Sequence, residues 1–489
     1  MRHYIPVITT EREGRAPEFL RIARAVMGDI ERGRLRPGDP LPGTRELAVS
    51  LGVHRNTVLA GFRELVAQGW IVTEPARGTF VAKSLPTMEW KAPPRAPRTA
   101  TAVGFDLVAP PTEPTAAVLR RGTLSLSGGI PDVRLAPHAE LARAIRRALR
   151  SPGVLGYNAP EGHPALRREL ARMLSASRGV AASTENVVVT RGSQMALDLV
   201  SRALLRPGDV VVVESLGYRP AWDAFRLAGA RLVALPVDAS GLRVDALPKL
   251  LQGTRVRAVY VTPHHQYPTT VALSAGRRLE LLALARTHRF AIVEDDYDHE
   301  FHYEGRPVLP LASADDAGVV LYVGTLSKVL APGLRIGYLV APRRFCDAIT
   351  AIRKIADRQG DHGLESAIAE LLEDGALERH VRRARRIYEA RRAVFGAELR
   401  KKLGGVLTFE LPAGGTALWA KVAPDVDVSA WVLRAEERGL TLQDARRFSF
   451  DNKPRSALRL GFAQLDEKEL GTAVTRMVES LPTPSVRTV

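Results

Sequence analysis

Short apolar runs of strand length alternate with stretches of helical spacing from residue 122 to about residue 345, and this alternation constrains the fold more than any other feature of the chain. The runs fall at 186–190, 210–214, 258–262, 291–295 and 319–324. A helix between two strands carries the chain back across the sheet, so that the next strand can pair in parallel with the last. The pattern predicts an α/β domain with a mostly parallel sheet covered by helices.

At 489 residues the chain is too long for one core. Residues 83–121 are rich in proline and alanine, show little periodicity and read as a semi-extended linker. They divide a module at 15–82 from the larger domain at 122–480. The net charge of +17 and pI near 10.3 favour a polyanionic partner, nucleic acid above all. Cys346 is the only cysteine, which excludes an intrachain disulfide and points to a reduced, cytoplasmic setting. Residues 1–15 lack the apolar core of a signal peptide. No apolar run approaches the roughly 18 residues of a membrane helix, so no membrane partner is expected. No metal-ligating pattern is read.

In the N-terminal module, Phe19, Ile22, Ala23, Val26 and Ile30 recur at helical spacing before Gly33. A second helix is expected from Thr44 to Leu51, stopped by Gly52, and a third from about His54 to Gly69. Two strands, 70–72 and 78–81, flank Pro75-Ala76-Arg77. Helix, glycine turn, helix and hairpin outline a winged helix-turn-helix. Arg45, Arg55 and Thr57 fall at helix starts, where side chains meet phosphates and base edges. Arg77 and Gly78 fall at the wing tip. The residues Gly33, Leu35, Pro37, Gly38, Leu41, Pro42, Arg45, Leu47, Ala48, Leu51-Gly52-Val53, Arg55, Thr57-Val58 and Gly78-Thr79-Phe80-Val81 make the module resemble the GntR-type DNA-binding domain. Gly43, Thr44 and His54 depart from that pattern, and His54 is expected to cap its helix less well than the usual serine.

In the larger domain, Lys328 follows a strand-length apolar run and sits among Thr325, Ser327 and Arg335. An amine can attack an aldehyde as a Schiff base, and the hydroxyls and guanidinium can hold a phosphate. Asp295 and Tyr297 point the same way from an extended strand, suited to the pyridine nitrogen and ring hydroxyl of pyridoxal phosphate. Asp296 remains an alternative to Asp295. Gly192, Ser193 and Gln194 open a helix after a strand, where free N–H groups bind phosphate. Tyr218 is a stacking candidate, Tyr157 a further phosphate ligand, and Arg459 can pair with a carboxylate.

Together these residues resemble fold-type I aminotransferases over roughly 122–480. The strings around Lys328, Asp295, His265–Thr269 and 374–392 resemble, more narrowly, the MocR/GabR family. In that family a GntR-type reader precedes an aminotransferase-like domain, with a smaller C-terminal α+β part. The resemblance implies that Lys328 carries pyridoxal 5'-phosphate, that Asp295 meets its nitrogen and Tyr297 its ring oxygen, and that Ser193, Thr325 and Arg335 hold its phosphate. Tyr157 would reach a neighbouring subunit in a homodimer, and Arg459 would take the carboxylate of an amine or amino-acid effector. The implied function is a regulator that binds a double-stranded DNA operator and senses that effector, or the cofactor itself. A working aminotransferase with an accessory reader is the alternative. Thr270 in place of a glycine, His302 in place of an arginine and the lack of a histidine in 414–417 depart from the family pattern.

Overall fold

The computed structural model describes residues 17–86, Asp106 and residues 122–482. The chain forms two compact units, Met1–Val108 and Ala109–Val489. The stretch expected as a linker lies outside the described residues except for 83–86 and Asp106, as do residues 15 and 16.

In the first unit three helices, α1 (Glu18–Glu31), α2 (Thr44–Leu51) and α3 (Arg55–Ala67), precede the antiparallel pair β1 (Ile71–Glu74) and β2 (Gly78–Val81). One core, including Ile22, Val26, Leu47, Val58, Phe62 and Val81, joins all five elements. Gly52 ends α2 in the left-handed conformation, with φ of 66°. His54 does cap α3: its Nδ1 accepts from the Asn56 N–H at 3.2 Å, so a ring nitrogen does the work of a serine hydroxyl.

The second unit is built on a seven-stranded sheet of β3 (Val187–Thr190), β4 (Val210–Glu214), β5 (Arg231–Leu235), β6 (Val256–Val261), β7 (Ala291–Asp296), β8 (Val320–Thr325) and β9 (Gly337–Val340). Their spatial order is β3-β9-β8-β7-β6-β4-β5. All pairings are parallel except those of β9, which runs antiparallel to both neighbours. Both faces are buried, and alternate side chains serve different cores. Val188, Val211, Val213, Tyr260 and Val293 pack on the face that carries helix α4 (Gly192–Leu204). Val187, Val189, Tyr322 and Tyr338 pack on the other face against helix Pro164–Arg178.

The C-terminal part sets an antiparallel sheet of Leu407–Thr408, Ala417–Val422 and Ala457–Gly461 against the helices Val428–Glu437 and Glu467–Glu479. Its core includes Trp431, Leu458 and Phe462, together with Tyr388 of the 28-residue helix Ala376–Leu403. The arginine-rich string on that helix has a structural use. Arg391 donates through both terminal nitrogens to the buried Asp132 carboxylate at 3.0 Å, and the Tyr388 hydroxyl accepts from the Asp132 N–H at 3.0 Å. His380 Nε2 lies 2.8 Å from the Val329 carbonyl. These interactions tie the long helix to the segments on either side of the site. Among the described residues no helix is long and apolar enough to cross a membrane.

Candidate functional site

A cavity of about 260 Å³ opens beyond the ends of β7 and β8. Lys328 enters it from the turn that follows β8. The turn is shaped locally: Thr325 Oγ1 donates to the Ile336 carbonyl at 3.2 Å and accepts from the Ser327 N–H at 3.1 Å. Withdrawal from bulk water, followed by the nearby Arg459 charge, lowers the Lys328 amine from 10.5 to about 8. A lysine so placed offers a far larger neutral fraction near neutral pH than an ordinary lysine, as a nucleophile requires.

The two carboxylates at the end of β7 part ways because strand side chains alternate. Asp295 shares its face with Val293 and lines the cavity. Its Oδ2 accepts from the Tyr260 hydroxyl at 2.8 Å, while Oδ1 is buried without a hydrogen-bond partner among the described residues. Burial raises its pKa to about 7. Asp296 points the opposite way, accepting from the Tyr322 hydroxyl at 2.7 Å, with His299 Nδ1 at 3.0 Å and Arg178 at 3.7 Å. Burial opposes its ionisation, but the neighbouring His299 and Arg178 outweigh burial and hold it well below the usual carboxylate range. Of the two, only Asp295 offers a free acceptor to the cavity.

The cavity is also lined by Ser193 and Gln194, in the first turn of α4, and by Thr325 and Arg335. The first N–H groups of a helix lack intrahelical acceptors and attract anions. Gly192 has φ of 76°, and a side chain there would meet the Arg335 guanidinium at 3.0–3.1 Å. Arg335 donates to the Arg191 carbonyl at 2.9 Å, which holds it beside this helix start. Tyr218 also lines the cavity, edge-on to Tyr267 with ring centres 5.5 Å apart. Tyr297 lines it too, with its hydroxyl donating to the His265 carbonyl at 3.0 Å.

Arg459, on strand Ala457–Gly461, is fully buried beside this space. Its Nε and Nη1 have no hydrogen-bond partner among the described residues. A Cβ on Gly128 would lie 1.9 Å from Nη1, and one on Gly129 would lie within 3.8 Å of both Arg459 Nη2 and Lys328 Nζ. Glycines at 128 and 129 thus keep open the space between these two cations.

Tyr157 is the candidate that this chain does not bring to the cavity. Its ring is 84% exposed and lies under the Arg358 guanidinium, 4.7 Å from the ring centre. In the first unit Arg45, Arg55, Arg77 and Gly78 are exposed and Thr57 is half-buried. Arg55 Nε reaches Thr44 Oγ1 at 3.5 Å, and Arg77 is ion-paired to Glu74 at 2.5 Å.

These donors suit pyridoxal phosphate. The cavity holds an amine, an unpartnered buried carboxylate oxygen, and a helix start with an arginine. Residues 123–477 match the family "Aminotransferase class I and II", and residues 19–81 match "Bacterial regulatory proteins, gntR family". The chain is 30% identical over 476 residues to the Rhizobium meliloti protein named "Probable rhizopine catabolism regulatory protein MocR", covering 96% of this chain and 95% of that one. The chain belongs to the MocR/GabR-type regulators. The regulator TauR of Rhodobacter capsulatus is 31% identical over 471 residues, 94% of this chain and 96% of that one. Among solved structures, LysN, the alpha-aminoadipate aminotransferase of Thermus thermophilus, complexed with N-(5'-phosphopyridoxyl)-L-leucine, has a TM-score of 0.68 and 30% identity. That likeness covers 74% of this chain and 92% of that one. As a MocR/GabR-type member, the chain is a transcription regulator with an aminotransferase-like domain whose cofactor is pyridoxal phosphate.

Several residues of the MocR-type site were not expected from sequence. Tyr260 lies outside the strings read for chemistry, and only the pairing of β6 with β7 brings its hydroxyl to Asp295. Gly128 and Gly129 carried a signal, two adjacent glycines before Pro131, but nothing in the sequence joined them to Arg459. Tyr267 stood inside a recognised string, yet its place beneath Arg459 depends on the C-terminal sheet.

Proposed function

We propose that this regulator senses a small amine or amino acid at Lys328, and that occupancy there changes its affinity for a double-stranded DNA operator. The observation that carries the proposal is the fully buried Arg459, with two nitrogens unpartnered, facing the same glycine-lined space as Lys328. Unpartnered nitrogens on a buried guanidinium are costly unless a ligand supplies an acceptor, and a carboxylate matches its fork.

When bound, pyridoxal phosphate supplies an aldehyde that exchanges between primary amines, so that Lys328 and an amine ligand compete for it. Lys328 provides the resident amine, kept partly neutral by its surroundings. Asp295 Oδ1 would accept from the ring nitrogen, while Tyr260 holds Oδ2 and so fixes the carboxylate plane. Tyr297 serves the ring oxygen and Tyr218 the ring face. The first turn of α4, at Gly192, Ser193 and Gln194, holds the phosphate together with Thr325 and Arg335. Arg459 orients the ligand through its carboxylate. Tyr157, exposed here, serves a second copy in a homodimer.

In the reader, Arg45, Arg55, Thr57, Arg77 and Gly78 contact DNA, and the protein works in the cytoplasm, where that DNA is. A ligand shifts operator binding only by its difference in affinity for the two states of the protein, and operator binding shifts ligand affinity by the same factor. The test is operator affinity of the full chain with and without amino acids and amines, in wild type and Lys328→Ala. The wild type is expected to respond to one ligand class, and the variant to bind operator without responding. An equal response in Lys328→Ala would refute sensing at this lysine.

A further inference from the structure

We propose that His264, His265 and His302 form a divalent transition-metal site of zinc type, set apart from the cofactor cavity. Nothing in the sequence predicts it, because the three histidines come from two loops and have no metal-ligand spacing. The fold brings one ring nitrogen from each within 4.8 Å of the other two. In a tetrahedral zinc site with bonds of about 2.1 Å, ligand nitrogens stand roughly 3.4 Å apart. Small ring rotations close that difference.

Three features make this more than a stack of rings. First, His264 is 4% exposed and neither of its ring nitrogens has a hydrogen-bond partner among the described residues, while His302 is half-buried with its ring against the Glu304 backbone. Buried polar nitrogens are normally satisfied, and orphaned ones point to a missing ion or water. Second, His265 Nδ1 lies 2.8 Å from Asp298 Oδ1. A carboxylate on one imidazole nitrogen directs the other, here Nε2, to a metal and raises its basicity. Third, the chain at Gly414 packs close to His265 Nε2, where a Cβ would stand 2.5 Å away, so any side chain at 414 would cover that nitrogen.

His299 packs beside His264 with ring centres 4.5 Å apart and has Nδ1 3.0 Å from an Asp296 oxygen, but it is not among the three histidines whose ring nitrogens lie within 4.8 Å of one another. It stands outside the ligand set, and the fourth coordination position falls to solvent. Three neutral imidazoles suit Zn²⁺ or Co²⁺ and leave the hard, oxygen-seeking cations unfavoured. The site is linked to the cavity, since the His265 carbonyl accepts the Tyr297 hydroxyl at 3.0 Å.

The experiment strips the full-length protein with chelator, then loads it with Zn²⁺ or Co²⁺ alone. Metal analysis after gel filtration is expected to give one zinc per chain, and cobalt to show the visible bands of a four-coordinate ion. His264→Gln and His302→Gln should each lose both signals, while His299→Gln keeps them. Asp298→Asn should weaken zinc binding about 10–100-fold. Circular dichroism and melting establish that each variant is folded, and an unfolded one is replaced by the Ala form at the same position. Absence of stoichiometric zinc and of the cobalt bands in the wild type would overturn the proposal. So would folded His264 and His302 variants that bind as the wild type does.

Discussion

The Arg459 guanidinium carbon lies 4.6 Å from the centre of the Tyr267 ring, a cation held over an aromatic face with its Nε and Nη1 left unpaired. The aromatic face fixes the fork without neutralising it. Arg459→Ala is expected to weaken an amino-acid ligand by about 1.5–3 kcal/mol, the value of a charge-assisted hydrogen bond, and to affect cofactor affinity far less. Gly128→Ala should act in the same direction, because its Cβ would stand 1.9 Å from Nη1 and push the guanidinium aside. Spectral titration with an amino acid and with the matching decarboxylated amine separates the effects. Equal loss for both ligands would refute a carboxylate role.

Lys328 makes the cofactor-free chain sensitive to alkali in a defined direction. Its folded value of about 8 lies below the ordinary 10.5, so between those limits the unfolded chain binds more protons than the folded one. Stability should therefore rise with pH from about 8 to 10.5, on top of the contributions of other groups. Lys328→Met should remove that rise. The rate of cofactor uptake should climb toward pH 8 and then level off, as the neutral amine becomes dominant. Denaturant melts and stopped-flow absorbance across this range measure both.

Arg45 and Arg55 are exposed at the starts of α2 and α3, so their removal leaves the reader's core intact. Taking away one arginine that pairs with a phosphate should reduce the slope of log affinity against log salt by about 0.9. An arginine that reads a base would instead cost about 1–3 kcal/mol for one operator sequence and relax specificity at that position. Fluorescence anisotropy over a salt series, with operator and scrambled DNA, distinguishes the two. Unchanged affinity and slope in both alanine variants would exclude these residues from the interface.

Asp132 and Arg391 form a buried pair, with side chains 3% and 5% exposed. Arg391→Met leaves the carboxylate with Arg134 as its remaining cation. The expected loss is about 1.5–3 kcal/mol, the value of charge-assisted hydrogen bonds, because Arg134 still pairs the carboxylate. Thermal or denaturant unfolding of the purified variant reads it directly, and a loss below about 1 kcal/mol would contradict the assignment.

Much of this architecture was legible because apolar runs of five or six residues are hard to bury except as strands. The strands expected at 186–190, 210–214, 258–262, 291–295 and 319–324 all appear, with ends shifted by at most two residues. β5 and β9 were missed for different reasons. β5 is a half-exposed edge strand beginning with Arg231, so its apolar signal is diluted. β9 is four residues long and begins with glycine, and its tyrosine belonged to a string read for chemistry. The choice between Asp295 and Asp296 needed only the knowledge of which strand face meets α4. The histidine cluster had no such local trace. It exists only because 264–265 and 302 are brought together by separate loops, and sequence spacing carries no record of that meeting.

The antiparallel course of β9 has a consequence for how ligand choice can change. Thr325 pairs with Gly337, and the Leu326 N–H donates to the Ile336 carbonyl at 3.0 Å, which closes 326–336 into a short hairpin loop. Lys328 and Arg335 both ride on that loop, so their mutual placement costs little closure entropy and depends on few distant interactions. Arg459 reaches the same cavity from a different sheet much later in the chain. Grip on the cofactor and choice of ligand are therefore mechanically separable. Substitutions along 457–461 can redirect the sensor to another small molecule while the hairpin that holds its covalent anchor keeps its register.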